Sequence, residues 1–189
     1  MPLGIAYMKA VIDRDIPATE AQSRLFVYPD RLLDAILHDP PDVLMVSNYV
    51  WNEALSLWFG QTAKRVKPDT LVVMGGPNIS LEPERQIAWF DNRREIDAYV
   101  LGESDFFAAE HVKLFLEAGL SKARFGRMTI PSSLYRDGDG NTVRNETWAR
   151  HKQIDEISSA WPTRYSRRVL RRQASARCSA TKDGPRLSM

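Results

Sequence analysis

The stretch Asp69-Thr70-Leu71-Val72-Val73-Met74-Gly75-Gly76-Pro77-Asn78 decides how this chain folds. Thr70 to Met74 is a short apolar run rich in β-branched residues, the pattern of a strand buried on both faces of a parallel sheet. It breaks into Gly75-Gly76-Pro77, where no side chain blocks close approach to the backbone. In open α/β sheets, ligands bind outside the carboxyl ends of the strands. Gly75 and Gly76 therefore stand where a flat or bulky ligand can rest on main chain, although a bare Gly-Gly serves a tight turn equally well.

Upstream, Leu3 to Ile12 predicts a helix with Leu3, Tyr7, Ala10 and Val11 as its apolar stripe, widened by Met8 and Ile12. Asp13 to Gln22, polar and holding Pro17, predicts a loop. Ser23 to Tyr28 predicts a strand, followed by a helix over Arg31 to His38 with Asp30 as N-cap. Its buried stripe is Leu32, Leu33, Ile36 and Leu37, and Pro40-Pro41 ends it. Asp42 to Tyr49 predicts a buried strand that turns polar at Ser47 and Asn48. Trp51 to Val66 predicts a helix with Leu55, Trp58, Phe59, Thr62 and Val66 on one side.

Downstream of the central strand come a loop, a short helix over Glu84 to Phe90, and a strand over Asp97 to Leu101 ending at Gly102-Glu103. Ser104-Asp105 then opens a helix to about Ala118, with Phe106, Phe107, His111, Leu114 and Phe115 inward. Strands alternating with helices imply right-handed βαβ crossovers and a parallel sheet. The pattern begins on a helix, whereas a helix on a sheet face normally follows a strand. The expectation is a doubly wound sheet lacking its first, central strand. Beyond Gly119, Ile130 to Arg136 and Thr142 to Asn145 flank Asp137-Gly138-Asp139-Gly140, a hairpin signal. The two aspartates resemble the start of a calcium loop, but no Glu stands at its twelfth position.

A chain of 189 residues, 43% hydrophobic, suits one domain with appendages. Three units are expected: residues 1–120 as an incomplete domain, 121–157 as hairpin and linker, and 158–189 as a basic disordered tail. The tail holds eight basic residues against Asp183, so it carries +7, and residues 1–157 carry −5 of the net +2. Its abrupt onset fits disorder or translation in a shifted reading frame. Nucleic-acid binding is not expected, because the arginines are not interleaved with stacking aromatics. No apolar run approaches the roughly 20 residues of a spanning helix, and no signal peptide opens the chain. The expected location is the cytoplasm, away from membranes. The lone Cys178 allows neither an internal disulfide nor a cluster of thiolates.

No dinucleotide Gly-x-Gly-x-x-Gly, phosphate loop or Gly-x-Ser-x-Gly elbow is present. His38, His111 and His151 sit in separate elements with no shared-metal spacing. What remains is positional. Three strand ends carry small, amide or aromatic residues on the same edge of the expected sheet: Ser47-Asn48-Tyr49-Val50-Trp51-Asn52, Gly75-Gly76-Pro77-Asn78 and Gly102-Glu103. Small residues give access, amides and hydroxyls give hydrogen bonds, and Tyr49 and Trp51 give flat apolar area. Together they predict a binding crevice.

Four motifs, Pro2-Leu3-Gly4-Ile5-Ala6-Tyr7, Ser47 to Asn52, Val73-Met74-Gly75-Gly76-Pro77, and Tyr99-Val100-Leu101-Gly102-Glu103 with Phe106 or Phe107, resemble a known family in order and spacing. It is the cobalamin-binding domain at the N-terminus of cobalamin-dependent radical S-adenosylmethionine enzymes, and the resemblance covers about Met1 to Asp155. It implies a Rossmann-like, flavodoxin-like sheet with cobalamin against its C-terminal edge. Ser47 and Gly75-Gly76 would face the nucleotide tail. Tyr49, Trp51 and Asn52 would lie nearer the corrin ring, and Gly102 and Glu103 would close the far side. The Asp-x-His-x-x-Gly motif that gives cobalt a histidine in mutases and methionine synthase is absent, which implies base-off cobalamin with no histidine from this chain.

The family's Cys-x-x-x-Cys-x-x-Cys cluster motif is also absent, so no iron–sulfur cluster is expected here. The chain resembles a truncated fragment of a methyltransferase-like enzyme. It would not be catalytic alone, and a separate radical-domain polypeptide would be its partner if the enzyme is split. Two alternatives stand beside this: a cofactor-free flavodoxin-like interaction or signalling domain, and a non-functional truncated product.

Overall fold

A computed structural model describes residues 3–102 and 104–146. Pro2, Glu103, most of the linker and the whole basic tail lie outside the described residues. The elements are α1 (Leu3–Asp15), α2 (Pro29–His38), β1 (Val43–Ser47), α3 (Glu53–Val66), β2 (Leu71–Gly75), α4 (Pro83–Asp91), β3 (Ala98–Val100), α5 (Ser104–Glu117), α6 (Lys122–Phe125), β4 (Ser133–Arg136) and β5 (Thr142–Arg144). They build an α/β fold around one open, mixed sheet in the order β1-β2-β3-β4-β5. The first three strands are parallel, as their helical crossovers require. The hairpin β4–β5 adds antiparallel to β3 and extends the same sheet.

β2 is the spine. Leu71, Val72, Val73 and Met74 are all buried, and their alternation divides the core in two. Leu71 and Val73 pack with Val100, Phe115, Phe125 and Ile130 on the α5–α6 side. Val72 and Met74 pack with Phe90, Ile96, Tyr99 and Leu134 on the α4 side. A third cluster of Ile36, Leu44, Phe59 and Ala63 joins α2 and α3 to β1. Helices therefore cover both faces of the sheet.

Three expectations need correction. Ser23 to Tyr28 forms no strand. Its β-prone composition has no neighbour to pair with, and an isolated strand cannot satisfy its own backbone. Asp30 is not the cap of α2. Pro29 occupies the first helical turn and Tyr28 the cap position, with no side-chain cap bond, because the fixed φ of proline already suits that turn. In α3 the buried residues are Ser56, Phe59, Gly60 and Ala63, while Leu55, Trp58 and Val66 are each at least 40% exposed. A Cβ on Gly60 would lie 2.9 Å from the Glu95 carbonyl oxygen and 3.1 Å from the Val72 side chain. At Gly60 the helix packs too close to the sheet for a side chain to lie between them, while Phe59 beside it packs against Leu44.

Candidate functional site

The parallel register sets Ser47 beside Gly75, and Gly75 beside Val100. The ends of β1, β2 and β3 thus form one rung, and the loops Asn48–Asn52, Gly76–Asn78 and Leu101–Gly102 leave it side by side. Of the residues singled out from sequence, eleven share this edge, and Glu103 lies outside the described residues.

They divide into two groups. Asn48 is fully buried, and its amide donates to the Asn78 carbonyl (2.8 Å) and the Tyr99 hydroxyl (3.1 Å). The Asn78 amide donates back to Asn48 Oδ1 (3.1 Å) and on to Glu53 Oε2 (2.8 Å). Tyr99 donates its own proton to the Gly76 carbonyl (2.7 Å). Burial pushes the Tyr99 phenol up to about 12, with the Asn48 bond opposing, so it remains a donor. Gly76 has φ +138°, and a Cβ there would stand 2.4 Å from the Asn48 carbonyl oxygen. Its missing side chain accommodates the chain's own backbone. Asn48, Gly76 and Asn78 are therefore a rigid floor that locks loop to loop.

The second group faces outward. Tyr49 and Trp51 stack with ring centroids 4.8 Å apart and planes 12° from parallel. Trp51 is 81% and Val50 82% exposed. Asn52 holds this turn, because its Oδ1 accepts the Tyr49 N–H (2.7 Å) and its Nδ2 donates to Ser47 Oγ (2.9 Å). Ser56 Oγ donates to the Ser47 carbonyl (2.8 Å). Pro77 and Gly102 are exposed on the neighbouring loops, and Gly102 takes φ +78°.

Sequence reasoning missed the supports of this floor. Tyr99 had a signal, since it lies at the end of a strand. Glu53 and Arg93 had none. The Arg93 guanidinium donates to Glu53 Oε1 (2.7 Å) and lies 4.0 Å above the Trp89 ring, a pairing made by residues forty positions apart. The histidines are elsewhere. His38 ends α2 at the opposite side of β1 and sits on the Asp34 carbonyl. His111 is fully buried between the Phe107 carbonyl (2.7 Å) and Ser133 Oγ (2.9 Å). Burial lowers it to about 4, so the ring is neutral.

Asp137 accepts backbone N–H groups from Asp139 and Asn141, which organises the hairpin turn and holds its carboxyl below the usual range. Among the described residues, no group of three or more His, Cys, Asp or Glu could hold a metal ion, and no helix is long and apolar enough to cross a membrane.

No family model matches the chain. Sixty-five of its residues are 35% identical to a cobalamin-dependent radical SAM methyltransferase, TokK, of Streptomyces tokunonensis. That match takes in 34% of this chain and 9% of the methyltransferase. The match covers a small part of either protein.

Proposed function

We propose that this chain is a cobalamin-binding module, with the crevice at the ends of β1, β2 and β3 as its site. The observation that carries the reading is the exposed Tyr49–Trp51 stack beside the aligned ends Ser47 and Gly75. A corrin is a flat, largely apolar ring fringed with amides. It suits a rigid aromatic surface beside hydroxyl and backbone groups. Tyr49, Val50 and Trp51 would meet the ring, and Ser47, Gly75 and Gly102 the tail. The floor of Asn48, Gly76 and Asn78 is already hydrogen-bonded within the fold, so it needs no rearrangement on binding.

Both described histidines are engaged away from this crevice, so the cofactor would bind base-off without a histidine from them. Bound cobalamin would supply a cobalt centre able to carry a methyl group. The chain's own residues would bind and orient it. Radical chemistry would belong to a further domain or polypeptide.

The test is reconstitution with hydroxocobalamin followed by desalting. Retention of the corrin absorbance at one equivalent is expected, and a spectrum unchanged from the protein alone would sink the proposal. Trp51→Ala should release most of the bound corrin while leaving the thermal transition in place.

A further inference from the structure

Among the described residues, β1 pairs with β2 on one side only. Leu71 N–H donates to the Asp42 carbonyl and Asn48 N–H to the Gly75 carbonyl. Since alternate residues of a strand address opposite neighbours, Asp42, Leu44, Val46 and Asn48 face β2. The main-chain groups of Val43, Met45 and Ser47 face the other way, where the Ser47 carbonyl meets Ser56. An edge like this usually borders solvent, or is covered by a charge, a bulge or a helix. Here it borders a cavity of about 590 Å³, walled by Ile5 and Met8 of α1, Leu32 and Ile36 of α2, Phe115 of α5, and Val27. The helix layers on both faces of the sheet thus extend past its last strand.

Ser23 to Tyr28, the strand-like segment that forms no strand, lines the same cavity. Lys9 Nζ donates to the Ser23 carbonyl (2.9 Å), and Arg24 pairs with Asp39 (3.0 Å), which fastens the segment to α1 and to the end of α2. The path from this segment through α2 into β1 has the order of a βαβ crossover with coil in place of its first strand. The cavity is lined by both this segment and β1.

We propose that this cavity is a receptor slot for one extended, wholly apolar peptide strand, added parallel to β1. The added strand would bond to Val43 and Met45 on one side and to residues 23–28 on the other, converting that segment into a strand. Apolar walls above and below call for β-branched side chains on both faces of the peptide, and affinity would come from main-chain hydrogen bonds. The slot meets the proposed cobalamin site at Ser47 and Asn52, which line its end, but it is inferred only from the β1 edge and the segment 23–28.

The test uses the full chain and a soluble peptide of five alternating valines and isoleucines between lysine pairs. A control peptide of the same sequence is N-methylated at alternate residues. Hydrogen exchange read by mass spectrometry should show at least tenfold greater protection of the segments 23–28 and 43–47 with the first peptide and none with the second. Met45→Pro removes a donor that faces the slot and leaves the β2 ladder intact, as proline permits on an edge. It should weaken peptide binding about three- to tenfold. Equal binding of the N-methylated peptide, or no loss in Met45→Pro, would overturn the proposal in favour of a nonspecific apolar cavity. Protection arising without peptide in a self-associated dimer would overturn it in favour of a second copy.

Discussion

The two sides of β2 finish differently. On one side, β3 is paired along both edges, by β2 and by the antiparallel β4. Its entry is tied down by Asp97, which accepts the Val72 N–H and the Lys64 ammonium, both at 2.8 Å. Burial lowers the Lys64 pKa against the pull of Asp97. On the other side, β1 ends in a cavity, and the segment beyond it is coil. Both sides offer apolar, β-prone sequence. A strand forms only where a neighbour accepts its main-chain hydrogen bonds, because a half-buried backbone without partners is costly.

Truncation should break or support this comparison most directly. Leu134→Ala on the paired side, fully buried against Phe90 and Tyr99, should cost about 3–5 kcal/mol. Leu44→Ala, 5% exposed beside the cavity, should cost about 2 kcal/mol, since fewer atoms surround it. Equal losses in urea titrations would mean that the cavity closes in solution.

His111 gives the next effect. Its pKa is lowered from 6.5 to about 4 by burial, so between those values the unfolded chain binds the extra proton. Stability is therefore full above about pH 6.5 and falls as pH drops toward 4, with about 2 kcal/mol lost by pH 5. Denaturation at pH 7 and pH 5 checks this, and His111→Gln should flatten the difference.

Gly76→Ala should cost about 2 kcal/mol, from a positive φ and a Cβ set against the Asn48 carbonyl. A thermal shift near zero would show that the loop floor yields. The smallest effect is expected at Trp51, which is 81% exposed. Trp51→Ala should change stability by less than about 0.5 kcal/mol. A larger loss would mean that the aromatic pair supports the fold and is not a free contact surface.

Much of this architecture was legible in the residues. The apolar runs at Val43 and Leu71, the punctuation at Pro40-Pro41 and Gly75-Gly76, and the Asp137 to Gly140 turn place strands and hairpin close to where they lie. The alignment of the three strand ends followed from the parallel order alone. The inner face of α3 was only partly legible: Phe59 is buried as expected, but Gly60 brings the helix so near the sheet that Ser56 and Ala63 lie inward in place of Leu55, Trp58 and Val66. The division of the strand-end residues into two groups was not legible. Asn48 and Trp51 look alike as candidates, yet one is sealed under Tyr99 and the other projects outward.

Periodicity, β-branching and proline act within a few residues, so local composition sets which segments can be strands or helices. Which of them become so depends on their neighbours in the fold. Ser23 to Tyr28 has the composition of a strand and no neighbour, while Ser133 to Arg136 has β3 beside it. The physical reason is that strand hydrogen bonds are made between segments, so their formation depends on what the fold sets alongside.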